Sequence, residues 1–254
     1  MNWINKNMMN TLTKKVVLVT GGSRGIGAAI TKRLAKDGAS VAFTYSRSSE
    51  SAATLVKDIN ASGGQALALL ANSASPNELT AAIRKTVEEF GPIDILVNNA
   101  GIFMVKAFEE HTLEEYDEMM AVNVKAAYVA AQAVLERMPA GGRIITIGSN
   151  MADNAMGTQT TLYTMSKSAL QGFTRGLARD LGPRKITVNL VQPGPVDTEM
   201  NPADADHADY LRSRMALGAY GDGEDIAGLV AFLASNNGKF ITGSILTIDG
   251  GLNA

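Results

Sequence analysis

The sequence predicts an α/β protein built on one doubly wound parallel sheet of about seven strands, with helices on both faces. Three observations predict it. Short β-rich apolar runs alternate with longer helical patterns throughout the chain. In the first half the runs start roughly every 25 residues, the rhythm of βαβ units joined by right-handed crossovers. Most runs are unbroken rather than alternating, as in strands covered on both faces.

The strands expected in order are Val16–Thr20, Val41–Tyr45, Ala66–Leu70, Ile93–Val97, Arg143–Gly148, Ile186–Val191 and Ser244–Ile248. Between them the helical patterns cover Ile26–Asp37, Ser49–Ala61, Pro76–Phe90, Leu113–Met138, Leu162–Leu181 and Glu224–Ser235. Pro76 behind Ser75 reads as a first-turn proline following an N-cap. Gly38, Gly63, Gly91 and Gly182 stand where a left-handed C-cap would end a helix. No low-complexity run, proline-rich bridge or charge block divides the chain. The expectation is a flexible tail over residues 1–12 and one domain over 13–254. Residues 201–221 lack clear periodicity; lying between the sixth strand and a late helix, they are expected to form a mobile lid over a site.

Composition narrows the function. The 254 residues carry 23 Lys+Arg against 25 Asp+Glu, a formal net charge of −2, which argues against a nucleic-acid partner. No cysteine is present, so disulfides, thiolate nucleophiles and Cys-ligated zinc sites are excluded. The two histidines, His111 and His207, are too far apart in sequence to suggest a metal centre. No apolar run approaches the roughly 18–20 residues of a membrane span; the longest, Ala126–Leu135, is broken by Gln132. The first residues lack the apolar core of a signal peptide, and Met8 or Met9 competes with Met1 as the start. A cytoplasmic protein without membrane or metal partners is expected.

The first strand runs into Gly21-Gly22-Ser23-Arg24-Gly25-Ile26-Gly27 and then a helix. Glycine serves a tight turn, close approach of backbone to phosphate and packing of helix on strand, and the helix N-terminus favours a pyrophosphate. Two other motifs overlap this stretch. Gly22 and Gly27 have P-loop spacing, but Ala28 stands where that loop needs lysine. Gly21 to Gly25 also fits the G-x-S-x-G nucleophile elbow, yet its serine follows the first strand and neither histidine follows a clear late strand. A dinucleotide is the better reading. The second strand ends Tyr45-Ser46-Arg47 without the carboxylate that would take NAD ribose hydroxyls, while Arg47 and Arg24 suit a 2′-phosphate. NADP(H) is favoured over NAD(H).

Tyr163 and Lys167 are spaced i, i+4 and share one helix face. A phenol ionises near pH 10, and a fixed cation beside it lowers that value. Ser149, at the end of the fifth strand, is placed to hold a substrate oxygen next to the phenol.

Together, Thr20–Gly27, Asn98-Asn99-Ala100-Gly101, Ser149, Tyr163-x-x-x-Lys167 and Pro193-Gly194 resemble the short-chain dehydrogenase/reductase family, over essentially the whole domain. The resemblance implies a Rossmann-like domain and an NAD(P)-dependent oxidoreductase acting on a small carbonyl or alcohol. It implies that Tyr163 is the acid in reduction and the base in oxidation, that Lys167 lowers its pKa and binds the nicotinamide ribose, and that Ser149 bonds the substrate oxygen. Asn123 would bond a main-chain carbonyl and place a relay water near Lys167. Asn99, Ala100 and Gly101 would line the adenosine side, and Pro193, Gly194, Val196 and Thr198 would hold the carboxamide. A homotetramer, built on the helices Leu113–Met138 and Leu162–Leu181 and the edge Ile241–Gly251, is implied as well.

Three departures from the family pattern stand out. Asn72-Ser73 occupies the place of an adenine-binding aspartate. Ser149 and Tyr163 lie 14 positions apart, one more than is usual. Asn150-Met151-Ala152-Asp153 is a more polar entry than small residues would give, and Met151, Met156 and Met200 suggest an adaptable apolar wall. The stretches Ser168–Pro183 and Val191–Thr198 look closer to a bacterial subgroup. It includes 3-oxoacyl-carrier-protein-reductase-like enzymes and a cyclic-di-GMP-binding biofilm dispersal mediator. An NADPH-dependent carbonyl reductase is the leading expectation, and a nucleotide-binding regulator on the same fold is the alternative.

Overall fold

The computed structural model describes residues 11–254. Among them, seven strands form one parallel sheet in the order β3-β2-β1-β4-β5-β6-β7. They are β1 Val16–Val19, β2 Ser40–Tyr45, β3 Gln65–Leu70, β4 Ile95–Asn98, β5 Arg143–Ile147, β6 Thr187–Pro193 and β7 Ile245–Ile248. The order reverses between β1 and β4, and the carboxyl ends of those two strands therefore flank a crevice where ligands bind in such sheets.

The helices are α1 Gly25–Lys36, α2 Ser49–Ala61, α3 Pro76–Phe90, α4 Leu113–Met120, α5 Ala126–Leu135, α6 Thr161–Leu181, α7 Ala208–Arg214 and α8 Gly223–Ala234. Successive strand side chains point to opposite faces, which splits the core in two. Val17, Val19, Val41 and Phe43 pack under Ile30 and Leu34 of α1 and Val230 of α8. Val16, Leu18, Leu96 and Ile144 pack under Leu79 of α3, Val134 of α5 and Leu181 of α6. Ser75 caps α3 by accepting from Glu78 N, with Pro76 in the first turn, as expected.

Three details differ from the sequence reading. The pattern over Leu113–Met138 is not one α-helix: a π turn, Ala121–Lys125, separates α4 from α5, and α5 ends at Leu135. Gly38, Gly63 and Gly91 do have positive φ, but Gly182 lies at φ −51°. Pro183 suits a helical first turn and prolongs α6 as a 3-10 turn, so the left-handed residue is Lys185 instead. Leu12, placed in the expected tail, is buried and donates its N–H to Asp37 O at 2.9 Å, so the packed domain includes it. The rest of that tail, with Met1, Met8 and Met9, lies outside the described residues. No helix among the described residues is long and apolar enough to cross a membrane.

Candidate active site

Every predicted site residue except Asn123 lines one cavity of about 880 Å³ at the carboxyl edge of the sheet. Its adenine side starts at the glycine turn. Gly21 and Gly25 have φ of +64° and +51°, which glycine adopts without strain. A Cβ at Gly27 would overlap Gly21 O and the Asn99 amide, so helix and turn are packed as tightly as glycine allows. Asn99 Nδ2 donates to Thr20 O at 3.0 Å and Gly21 O at 2.9 Å, while Asn99 N and Ala100 N donate to Thr20 Oγ1. The Asn98–Gly101 turn thus clasps β1 to β4 at the crevice. α1 opens at Gly25 without a side-chain cap, leaving first-turn N–H groups of Gly25, Ile26 and Gly27 to meet an anion. This open, glycine-built cradle, with Ser23 on its wall, fits a dinucleotide pyrophosphate.

Tyr45, Ser46 and Arg47 follow β2, and Asn72 and Ser73 follow β3, both on the same wall. Asn72 Oδ1 accepts from Ala74 N at 3.0 Å and is used locally. Arg47 stands exposed at the rim. Arg24 is also exposed but is engaged: its Nη1 meets Glu199 Oε2 at 2.9 Å across the mouth of the cavity, with both side chains largely exposed. The expected pair of phosphate-clamping arginines is therefore Arg47 plus an arginine already engaged.

The opposite side holds the reactive groups. Ser149 follows β5 by two residues and caps the 3-10 turn Asn150–Ala152, its Oγ accepting from Met151 N at 3.2 Å. Lys167 is buried on α6; its Nζ donates to Ile147 O at 3.2 Å and lies 5.7 Å from the Tyr163 ring centroid. Burial lowers the Lys167 pKa to about 8. Burial raises that of Tyr163, with hydrogen bonding by Ser149 opposing it. The expected lowering of the phenol by Lys167 is thus not seen in this arrangement: burial dominates, and the contribution opposing it is the Ser149 hydrogen bond.

Asn123 sits in the π turn, where turns of this kind often mark functional positions. Its Oδ1 accepts from Ile102 N at 2.8 Å and its Nδ2 donates to Ile102 O at 3.0 Å and Ser166 Oγ at 2.9 Å. The main-chain carbonyl expected for Asn123 is therefore that of Ile102. A Cβ at Gly101 would stand 3.3 Å from Lys167 Nζ and 3.4 Å from Asn123 Oδ1, so the three meet behind the cavity.

Pro193, Gly194, Val196 and Thr198 lie on the cavity wall after β6, and Met151, Met156 and Met200 contribute to it as expected. The structure adds residues that the sequence did not single out. Phe103 packs edge-on against Tyr163, 4.7 Å between centroids and 83° between planes. Glu118, Tyr210 and Leu252 also line the cavity, and His207 does so while its Nε2 meets Asn201 Oδ1 at 2.9 Å. Phe103 follows the Asn98–Gly101 turn by two residues, and Asp249-Gly250-Gly251 follows the last strand. Both sit at the same strand edge, which was the available signal. As for the nucleophile elbow, Ser23 hydrogen-bonds neither histidine among the described residues; His111 Nδ1 faces Glu115 Oε2 at 3.3 Å.

Comparison with known proteins agrees with this geometry. A family model described as enoyl-(acyl carrier protein) reductase matches residues 21–253. A short-chain dehydrogenase from Burkholderia cenocepacia, solved in complex with NADP, is 53% identical with a TM-score of 0.95, covering 96% of this chain and 100% of that one. A blue fluorescent protein from a metagenomic library, solved with NADPH, is 52% identical with a TM-score of 0.94 over the same shares. The cyclic-di-GMP-binding biofilm dispersal mediator protein of Escherichia coli is 44% identical over 246 residues, 97% of this chain and 100% of that protein. On the sheet order, the glycine turn, the Ser149–Tyr163–Lys167 cluster and these matches, the chain belongs to the short-chain dehydrogenase/reductase family of oxidoreductases.

Proposed function

We propose that this chain reduces a ketone or 3-oxo group to an alcohol, reversibly, with NADPH as the preferred cofactor. The observation that carries the reading is one cavity in which a glycine-built dinucleotide cradle adjoins Ser149, Tyr163 and Lys167. Bound there, the nicotinamide supplies or accepts a hydride. Gly21, Ser23, Gly25, Ile26 and Gly27 hold the pyrophosphate, and Tyr45, Ser46, Arg47, Asn72 and Ser73 hold the adenosine end. Pro193, Gly194, Val196 and Thr198 orient the carboxamide. Ser149 donates to the substrate oxygen, and Tyr163, which burial keeps protonated well beyond neutrality, gives that oxygen its proton in reduction. Lys167 bonds the ribose and holds positive charge beside the developing phenolate. Asn123 fixes the Ile102 backbone and a relay position behind Lys167.

NADPH is preferred because β2 ends without a carboxylate and Arg47 stands at the rim. The NADP and NADPH complexes of the two solved relatives support this. Residues 201–221, with α7, act as the lid over the substrate side. The protein acts as a homotetramer through the exposed faces of α5 and α6 and the β7 edge, which sedimentation would report as four chains per particle. A cysteine-free, NADPH-consuming reductase suits the cytoplasm, which cell fractionation would check.

A second reading has one observation in its favour, the Escherichia coli relative named for cyclic-di-GMP binding. Oxidation of NADPH and NADH against a panel including a 3-oxoacyl thioester and a β-keto ester separates the two. Turnover that Tyr163→Phe abolishes establishes the reductase. Tight NADPH binding without turnover, together with cyclic dinucleotide binding, would replace it by the regulator.

A further inference from the structure

One polar network beside the site has no part in the chemistry above. Asn150, buried next to Ser149, donates Nδ2 to Asp249 Oδ2 at 3.3 Å and to Asn253 Oδ1 at 3.4 Å. Asn253 Nδ2 returns a bond to Asn150 O at 2.8 Å. Asp249 also accepts from Gly251 N and Asn253 N, both at 3.0 Å, so its carboxylate organises the turn that follows β7. The same residue touches the loop after β6. A Cβ at Gly194 would overlap Asp249 Cβ and Cα, and Gly194 N donates to Ile248 O at 3.0 Å. Beyond Asn150, Asp153 accepts from Gln171 of α6 at 2.6 Å and from Gln192 of β6 at 2.5 Å. The stretch after Ser149 is therefore pinned at both ends.

We propose that the turn over residues 249–253 is a positioning element. Through Asn150 it sets the Ser149 hydroxyl against the Pro193-Gly194 loop, and so the substrate oxygen against the nicotinamide. Asp249 contacts both the segment carrying Ser149 and the loop assigned to the carboxamide. Two groups that must act on one carbonyl lose much of their effect when displaced by about 1 Å. This explains the polar entry after Ser149: the amide is there to reach Asp249 and Asn253. Asn150, Asp249 and Asn253 are positioning residues, and the proposal rests on the role of Ser149 given above.

The test compares Asn150→Ala, Asn253→Ala and the double variant with the unaltered chain, using NADPH and ethyl acetoacetate. NADPH should bind each variant with full stoichiometry and a Kd within about twofold, while kcat falls about tenfold with little change in KM. The isotope effect on kcat with 4-deuterated NADPH should rise as hydride transfer becomes limiting. The double variant should be slower than either single one, because Asn253→Ala leaves the bond from Asn150 to Asp249 and Asn150→Ala leaves the bond from Asn253 to the Asn150 carbonyl. Hydrogen exchange over residues 148–153 should quicken in both single variants. Unchanged kcat and exchange would overturn the proposal, as would a kcat that falls only in step with lost NADPH stoichiometry. Absence of turnover by the unaltered chain would count against the reductase reading instead, and exchange over 148–153 would still decide the positioning role.

Discussion

The floor and the rim of the cavity are built on opposite principles. At the floor Lys167, and just behind it Asn123, are buried, and each is tied to the backbone of a neighbouring segment, Ile147 for the ammonium and Ile102 for the amide. At the rim, Arg24 and Glu199 keep 57% and 68% of their side-chain surface in water. Burial makes the Lys167 ammonium expensive to charge and holds both groups in place, so their loss should be felt fully at the reacting atoms. Exposure makes each rim group mobile and screened, so it should tune which cofactor binds, and how tightly.

The largest effect should come from Tyr163→Phe. General acid catalysis is worth about 10²–10⁴ in rate, and turnover should fall by that much while the NADPH Kd moves only a few-fold. A variant keeping more than a tenth of kcat would show that the proton comes from elsewhere and would break the contrast at its floor.

Lys167→Met should also abolish turnover, but with an opposite sign in stability. Lowering the lysine from 10.5 to about 8 means that the folded chain holds its proton less tightly than the unfolded one, at a cost of roughly 3 kcal/mol when charged. Below pH 8 that cost is complete. Between pH 8 and 10.5 the unfolded chain binds the extra proton, and stability rises with pH. The cofactor-free Met variant should therefore melt above the unaltered chain at pH 7, and the gap should narrow as pH passes 8. A Met variant that melts lower at pH 7 would show that the bond to Ile147 outweighs the buried charge.

The two regions also differed in how far the sequence revealed them. The glycine turn, the β1 and β4 ends and the Tyr163–Lys167 spacing are local patterns, and their elements formed within one or two residues of expectation; α2 and α3 have the expected bounds. The π turn at Ala121–Lys125 was illegible because it accompanies long-range bonds, Asn123 to Ile102 and Ser166. The Arg24–Glu199 pair joins residues 175 positions apart, and no periodicity encodes it. Asn150 was visible as an oddity, but its partners Asp249 and Asn253 come from the far end of the chain. Local chemistry was readable; its second partners were not.

At the rim, Arg47→Ala should weaken NADPH about tenfold and NADH much less, since a charge-assisted bond to phosphate contributes roughly 1.5–3 kcal/mol before screening. Equal loss for both cofactors, measured by fluorescence titration, would remove Arg47 from the 2′-phosphate and leave the missing carboxylate after Tyr45 as the source of the preference.

The smallest expected effect is the most direct test of the rim. Glu199 engages Arg24 Nη1 and offsets its charge where a phosphate would need it, and an exposed pair of this kind holds it by no more than about 1 kcal/mol. Glu199→Gln should therefore tighten NADPH by about two- to fivefold at low salt, with NADH moving less. The gain should fade by about 0.5 M salt, where exposed charges are screened within a few ångströms. The same substitution should leave kcat alone, because Glu199 lies on the mouth and not on the floor. If Glu199→Gln instead lowered kcat while leaving NADPH affinity untouched, the loop carrying Glu199 would belong with the catalytic floor, and the boundary between a fixed floor and a tunable rim would lie further inward, past Thr198.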